Sequence, residues 1–131
     1  MAIRAAIFSG PVIIENRHVL LNKEKKHGPE ALWFFPGGGV ETTDAKLEDA
    51  ARREVLEEMG LNIRIIRPLQ PVLIKKGEKI QVLVHWLAER IGNISPGDDI
   101  AKWAWHDIRT LPPDCAPNVY EVIAEYLKNN V

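Results

Sequence analysis

The stretch that most constrains this chain is PGGGVETTDAKLEDAARREVLEEMGL, Pro36 to Leu61, a glycine-rich turn that runs into a helix-forming segment. Gly37, Gly38 and Gly39 have no Cβ, so their backbone can take positive φ and lie close to another group. Pro36 fixes the direction of entry. The helix is predicted to start near Thr43 or Asp44, either of which can cap the free amides of a first turn. Gly60 supplies the left-handed residue that ends it.

Glu54, Glu57 and Glu58 stand at i, i+3 and i+4 and so share one helix face. That face continues through Ala50, Ala51 and Leu47, the small or apolar residues expected to turn inward. Like charges at this spacing each cost roughly a few tenths of a kcal/mol in water, and more when desolvated. A bound cation would turn that repulsion into ligation. Carboxylate oxygens suit a hard divalent ion such as Mg²⁺, with Mn²⁺ as a substitute. The plain alternative is a solvated acidic face. The neighbours of the trio argue against it: a glycine turn directly before the helix, Arg53 beside Glu54, and a Gly60-Leu61 stop.

Together these residues resemble the signature of the Nudix hydrolases. That signature is a glycine, five residues, a glutamate, seven residues, then Arg-Glu-apolar-any-Glu-Glu-any-Gly-apolar. Its second half is matched throughout by Arg53-Glu54-Val55-Leu56-Glu57-Glu58-Met59-Gly60-Leu61. In the first half, counting from Gly38 puts Asp44 in place of the glutamate, with one residue inserted before Arg53. The resemblance implies an α+β (mixed α/β) Nudix fold, a mixed β-sheet sandwiched between helices, as one domain over residues 1–131.

The same resemblance implies Mg²⁺-dependent hydrolysis of a diphosphate bond in a nucleoside diphosphate linked to another moiety, with nucleoside triphosphates among the candidates. Glu54, Glu57 and Glu58 would hold the metal, joined by a backbone carbonyl of the turn, Gly37. Glu54 or Glu57 would also orient or deprotonate the attacking water, and Arg53 would tie the helix face to the turn. The second reading is a non-catalytic Nudix domain that senses a nucleotide or metabolite. Three mutually repelling acids on an inward arc speak against it. A Ca²⁺-binding loop of alternating oxygen ligands is absent from the sequence.

The rest of the chain supplies the sheet and the substrate contacts. Ala2 to Phe8 and Val12 to Glu15 read as strands broken by Ser9-Gly10-Pro11, and Arg17 to Leu21 as a third. Lys23, Lys25, Lys26 and His27 form a basic cluster that is either a solvated loop or a phosphate contact, with Lys23 and His27 the candidate substrate ligands. Leu32-Trp33-Phe34-Phe35 reads as an aromatic strand, mostly core, with Phe35 a candidate to stack on a base.

Strands are expected over Asn62 to Ile66, Pro71 to Ile74 and Lys79 to Glu89, the last central, with His85 as a core histidine. Asp98 to Asp107 resembles the late Nudix segment in which acids precede a strand tryptophan, here Trp105. Where many Nudix enzymes place an acid three residues before that tryptophan, this chain has Lys102. Asp99 is the candidate replacement. Asn118 resembles a base-recognising asparagine of mutator-type members, although its place just before the final helix suits an N-cap better. Asn118 to Lys128 has the apolar spacing of a C-terminal helix.

Composition narrows the partners. With 131 residues and 46% hydrophobic content, a core can form without disulfides. The net charge of −1 provides no basic field for a nucleic-acid polymer, so the expected partner is a small nucleotide. The single cysteine, Cys115, suits a reducing compartment. Met1-Ala2-Ile3-Arg4 does not read as a signal peptide and no apolar run suits a membrane helix, so a cytoplasmic monomer or homodimer is expected.

Overall fold

The computed structural model describes residues 4–129; the expected strand start at Ala2 lies outside them. Strand β1 (Arg4–Glu15) is one unbroken element of 12 residues, not two. It runs parallel to the long strand β6 (Lys79–Ile91) from Arg4 to Ile13. On its other side it pairs first with β3 (Gly38–Gly39), through Phe8 and Ser9, and then with β2 (His18–Glu24), through Ile14 and Glu15. Gly10 and Pro11 fall in the gap between these two pairings, where the missing N–H of Pro11 breaks no ladder on that side. The expected punctuation is therefore a change of partner, not an end of strand.

Asn16 and Arg17, both with left-handed φ (49° and 62°), close the β1–β2 hairpin. The remaining strands are β4 (Asn62–Pro68), β5 (Val72–Lys76) and β7 (Ile100–Asp107). The sheet order is β4-β6-β1-β2-β7, with β5 on the N-terminal half of β6 and β3 on β1. Among the pairings of the described strands, β1–β6 is the parallel one. The aromatic run Leu32 to Phe35 forms no named strand. It makes single bridges, Phe34 with Asn22 and Trp33 with Cys115.

Two helices cover opposite faces. Period-2 alternation in β1 and β2 decides which side chain goes where. Val12, Val19 and Leu21 pack with Phe35 and with Val119, Val122 and Ile123 of helix α2 (Pro117–Asn129). Ile13 and Leu20 pack with Val55 and Met59 of helix α1 (Leu47–Met59), together with Leu61, Ile63 and Ala88. The expected mixed sheet between helices is thus present.

Helix α1 begins later than the capping residues suggest. Lys46 is its N-cap, with no side-chain cap bond, because Asp44 is engaged elsewhere. Leu47, expected inward, is 37% exposed, while Ala50, Ala51, Val55 and Met59 are buried. Gly60 ends the helix in the left-handed conformation, φ 65°, as its sequence position implies.

Gly10 lets β1 touch the glycine turn. A Cβ placed there would lie 2.1 Å from the Pro36 carbonyl oxygen, a backbone atom that cannot swing aside. Gly10→Ala is expected to cost about 1–3 kcal/mol or more, as overpacking does. A denaturant titration showing a midpoint equal to wild type would contradict the close approach.

Candidate active site

The glycine turn is seated on β1 and α1 is seated on the turn. Gly37 has φ 153°, and a Cβ there would lie 2.8 Å from both the Gly10 Cα and the Ser9 carbonyl oxygen. Gly38 leaves room on its other side for the Glu54 carboxylate, which a Cβ would meet at 2.4 Å. The Gly37 N–H donates to Glu58 Oε1 at 2.7 Å. One helix carboxylate is thus bonded to the backbone of the turn and a second packs against it. Ser9 adds a hydroxyl bond to the Leu47 carbonyl at 2.7 Å, fixing the start of α1 on β1.

Arg53 is the hub of the acidic face. Its Nη1 donates to Glu54 at 2.7 Å, its Nη2 to the Gly39 carbonyl at 3.0 Å, and its Nε and Nη2 to the two oxygens of Asp44 at 3.0 and 2.8 Å. Glu41 and Glu57 lie further out, at 3.6 and 3.8 Å. The fork geometry of guanidinium suits this bidentate grip on Asp44. Asp44 also accepts the Glu41 N–H at 2.8 Å. The guanidinium, aided by that amide, holds the Asp44 carboxyl down at about 2. These same carboxylates raise the Arg53 pKa further above its ordinary value.

The glutamates of the trio sit in unlike surroundings. Burial pushes the Glu58 carboxyl up to about 8, against the Gly37 N–H and with help from the charges of Glu24 and Glu54. Burial also raises Glu54, opposed by Arg53. Glu57, with a side chain 61% exposed, points toward solvent. Among the described residues no three His, Cys, Asp or Glu side chains already converge as a ligand cluster. The donors nevertheless suit a hard divalent ion. Glu58 is a half-buried carboxylate with no basic side chain bonded to it, a group that a cation would hold in its charged form.

The NUDIX domain family model matches residues 6–126, nearly the whole chain. The chain belongs to the Nudix family. Its fold is similar to the MutT NUDIX hydrolase of Burkholderia pseudomallei, with a TM-score of 0.82 at 24% identity over 93% of this chain and 98% of that one. It is also similar to the MutT protein of Methanosarcina mazei Go1, with a TM-score of 0.85 at 15% identity over 99% and 98% of the two chains. A curated relative, the large ribosomal subunit protein mL46 of Neurospora crassa, is 36% identical over 47% of this chain. The match spans 21% of that protein's length. The expected class, a Nudix hydrolase, agrees with the family match and with the names of these structures.

Around the Nudix helix the other sequence candidates separate. His27 lies in the 3-10 turn Lys25–Glu30, its ring 6.4 Å from Phe34. Lys26 is in the same turn and pairs with Glu24 at 3.1 Å, next to Glu58. Lys23 is on the other face of the sheet. It bonds Asp114 at 2.6 Å and lies 4.9 Å over the Trp33 ring, because alternation along β2 turns it toward α2. Phe35 is only 7% exposed and meets His85 edge-on at 5.4 Å, so its ring is core. Asn118 is 6% exposed, inside α2 and not at its cap, and its Nδ2 lies 3.1 Å from His85 Nε2.

Asp99 is exposed, and its backbone carbonyl accepts the Lys25 N–H at 2.8 Å; no side-chain contact joins it to the trio. Lys102 is paired in register with Lys23, so it too belongs to the α2 face. Sequence reasoning missed Glu24 and Glu41, whose charges reach Glu58 and Glu54 respectively. Glu24 had a signal: reading β2 as a strand with Leu20 facing α1 puts Glu24 on that face.

The Asp44–Arg53 bond gives a pH test. Because the folded carboxyl titrates at about 2, below its ordinary 3.8, its contribution is present above pH 4 and is lost as pH falls toward 2. Asp44→Asn should lower the melting temperature at pH 7, and the gap to wild type should close as pH falls through that window. A gap that is the same at pH 7 and pH 2.5 would rule out the ionised bond as its source.

Proposed function

We propose that this Nudix domain is a divalent-cation-dependent hydrolase that cleaves a diphosphate bond in a nucleoside diphosphate derivative. The observation that carries the reading is the seating of Glu54 and Glu58 on Gly38 and Gly37, with Arg53 joining helix to turn. Carboxylates crowded at this spacing without a cation cost stability, so their fixed placement favours a binding role over a solvated face.

Glu54, Glu57 and Glu58, with the Gly37 carbonyl, would hold Mg²⁺ or Mn²⁺. When bound, the ion supplies neutralisation of phosphate charge and fixes the attacking water for in-line displacement. Glu57 is the exposed member, free to orient or deprotonate that water from the solvent side. Arg53 opposes the upward push of burial on Glu54 and aims its carboxylate, acting as a positioning residue. The turn that carries Lys25, Lys26 and His27 stands beside Glu24 and offers the phosphate chain its positive charge. A sensor domain would have no use for three acids kept in this arrangement.

The test is a phosphate-release screen with Mg²⁺ across nucleoside triphosphates, ADP-ribose, nucleotide sugars and dinucleoside polyphosphates. Glu57→Gln is expected to lower kcat on the best substrate by about 10²- to 10⁴-fold with the fold intact. Undiminished turnover in that variant would remove Glu57 from the chemistry. Mg²⁺ should also stabilise the wild-type chain by roughly 2.7 kcal/mol at a hundredfold excess over Kd. A melting temperature that ignores millimolar Mg²⁺ in the presence of a substrate analogue would count against the cation site.

A further inference from the structure

Strand β2 divides its side chains between the two faces of the sheet. Val19 and Leu21 belong to the cluster under α2, and Leu20 to the cluster under α1. Alternation therefore puts Asn22 and Glu24 on the α1 face, in line with Leu20. Asn22 is 1% exposed, and neither its Nδ2 nor its Oδ1 has a hydrogen-bond partner among the described residues. Its backbone is fully engaged, exchanging two bonds of 2.9 Å with Phe34 and facing Trp103 across β7. A buried primary amide left unpaired is costly, whereas leucine in the same volume would carry no such cost.

Glu24, next on the same face, pairs in register with Ile100, whose N–H bonds the Gly97 carbonyl at 3.2 Å, and the Gly97 N–H in turn bonds the Glu58 carbonyl at 2.8 Å; Lys26 lies 3.1 Å from Glu24. Phe34, bonded to the Asn22 backbone, leads through Pro36 into Gly37, whose N–H holds Glu58. Asn22 and Glu24 thus lie on the face of β2 that α1 covers, and Glu58 stands in the last turns of that helix. Two carboxylates match the charge of one divalent ion, and an amide oxygen is a customary neutral ligand of hard cations.

We infer that Asn22 and Glu24 join Glu58 in binding a divalent cation, Asn22 through its amide oxygen and Glu24 through its carboxylate. This places the additional carboxylate on β2, not on the loop that carries Asp99. Asn22 Nδ2 remains to donate to a neighbouring carboxylate oxygen. The inference rests on the reading of the α1 carboxylates as a cation site, and goes beyond it in the residues it names.

The experiment is a titration of the full chain with Mn²⁺ alone, counting free ion by electron paramagnetic resonance, alongside melting curves without metal. Asn22→Leu and Glu24→Gln should each weaken Mn²⁺ binding roughly 10- to 100-fold. Metal-free Asn22→Leu should melt no lower than wild type. Unchanged affinity in either variant, or a metal-free Asn22→Leu that melts below wild type, overturns the inference. Should Asn22→Leu fail to fold, the amide stabilises the metal-free chain, which also overturns it. Glu54→Gln separates the two levels. If wild type binds Mn²⁺ and Glu54→Gln weakens it while the β2 variants do not, only this inference fails. If wild type binds no Mn²⁺, the cation site fails with it.

Discussion

Everything at this site depends on two backbones that touch. Gly10 of β1 and the Pro36-Gly37 turn approach so closely that neither glycine could carry a side chain. The contact fixes the turn against the sheet, and the turn then fixes the helix: Glu54 rests on Gly38, Glu58 on the Gly37 N–H, and Arg53 on the Gly39 carbonyl. A loop anchored by side chains would have rotamers to spare. A loop anchored backbone to backbone has few, which is what a site needs to hold like charges in fixed positions.

The acids of the turn and of α1 carry one functional group, the carboxyl, in unequal environments. Asp44, gripped by the guanidinium, titrates near 2, whereas Glu58, half-buried and bonded to an amide, is pushed to about 8. Glu57 remains in water. Separation of this kind, not acidity as such, is what lets carboxyls in one cluster take different roles. Arg53 contacts Glu41, Asp44, Glu54 and Glu57 within 4 Å, while Glu58 is left to the Gly37 N–H.

What the sequence made legible followed from rules that act within a few residues. The helix stop at Gly60, the grip of Arg53 on turn and helix, the core position of His85 and the C-terminal helix are of that kind. What it hid depended on pairing between distant segments. Ser9-Gly10-Pro11 looks like a strand break because only the register of β1 with β3, β2 and β6 shows that Pro11 sits where no bond is lost on the β2–β3 side. Asp44 looks like a cap until Arg53, nine residues on, claims it. Lys23 and Glu24 are neighbours in sequence and opposites in space. A basic cluster read as a unit therefore split, with Lys23 going to Asp114 under α2 and Lys26 going to Glu24 beside α1.

Strand β6 is the sheet's shared partner, and its outer edge is divided. Its C-terminal half carries β4, which supports the seat of α1 through Ile63, while its N-terminal half carries β5, whose residues are half-buried or exposed. The two halves therefore differ in how readily they open. The β5 hairpin can fray without disturbing the helix, because few buried contacts tie it down. On the other side of that same half runs the segment of β1 that carries β3 and the glycine turn. Looseness is thus admitted along one edge of the sheet, while the carboxylates keep a rigid floor.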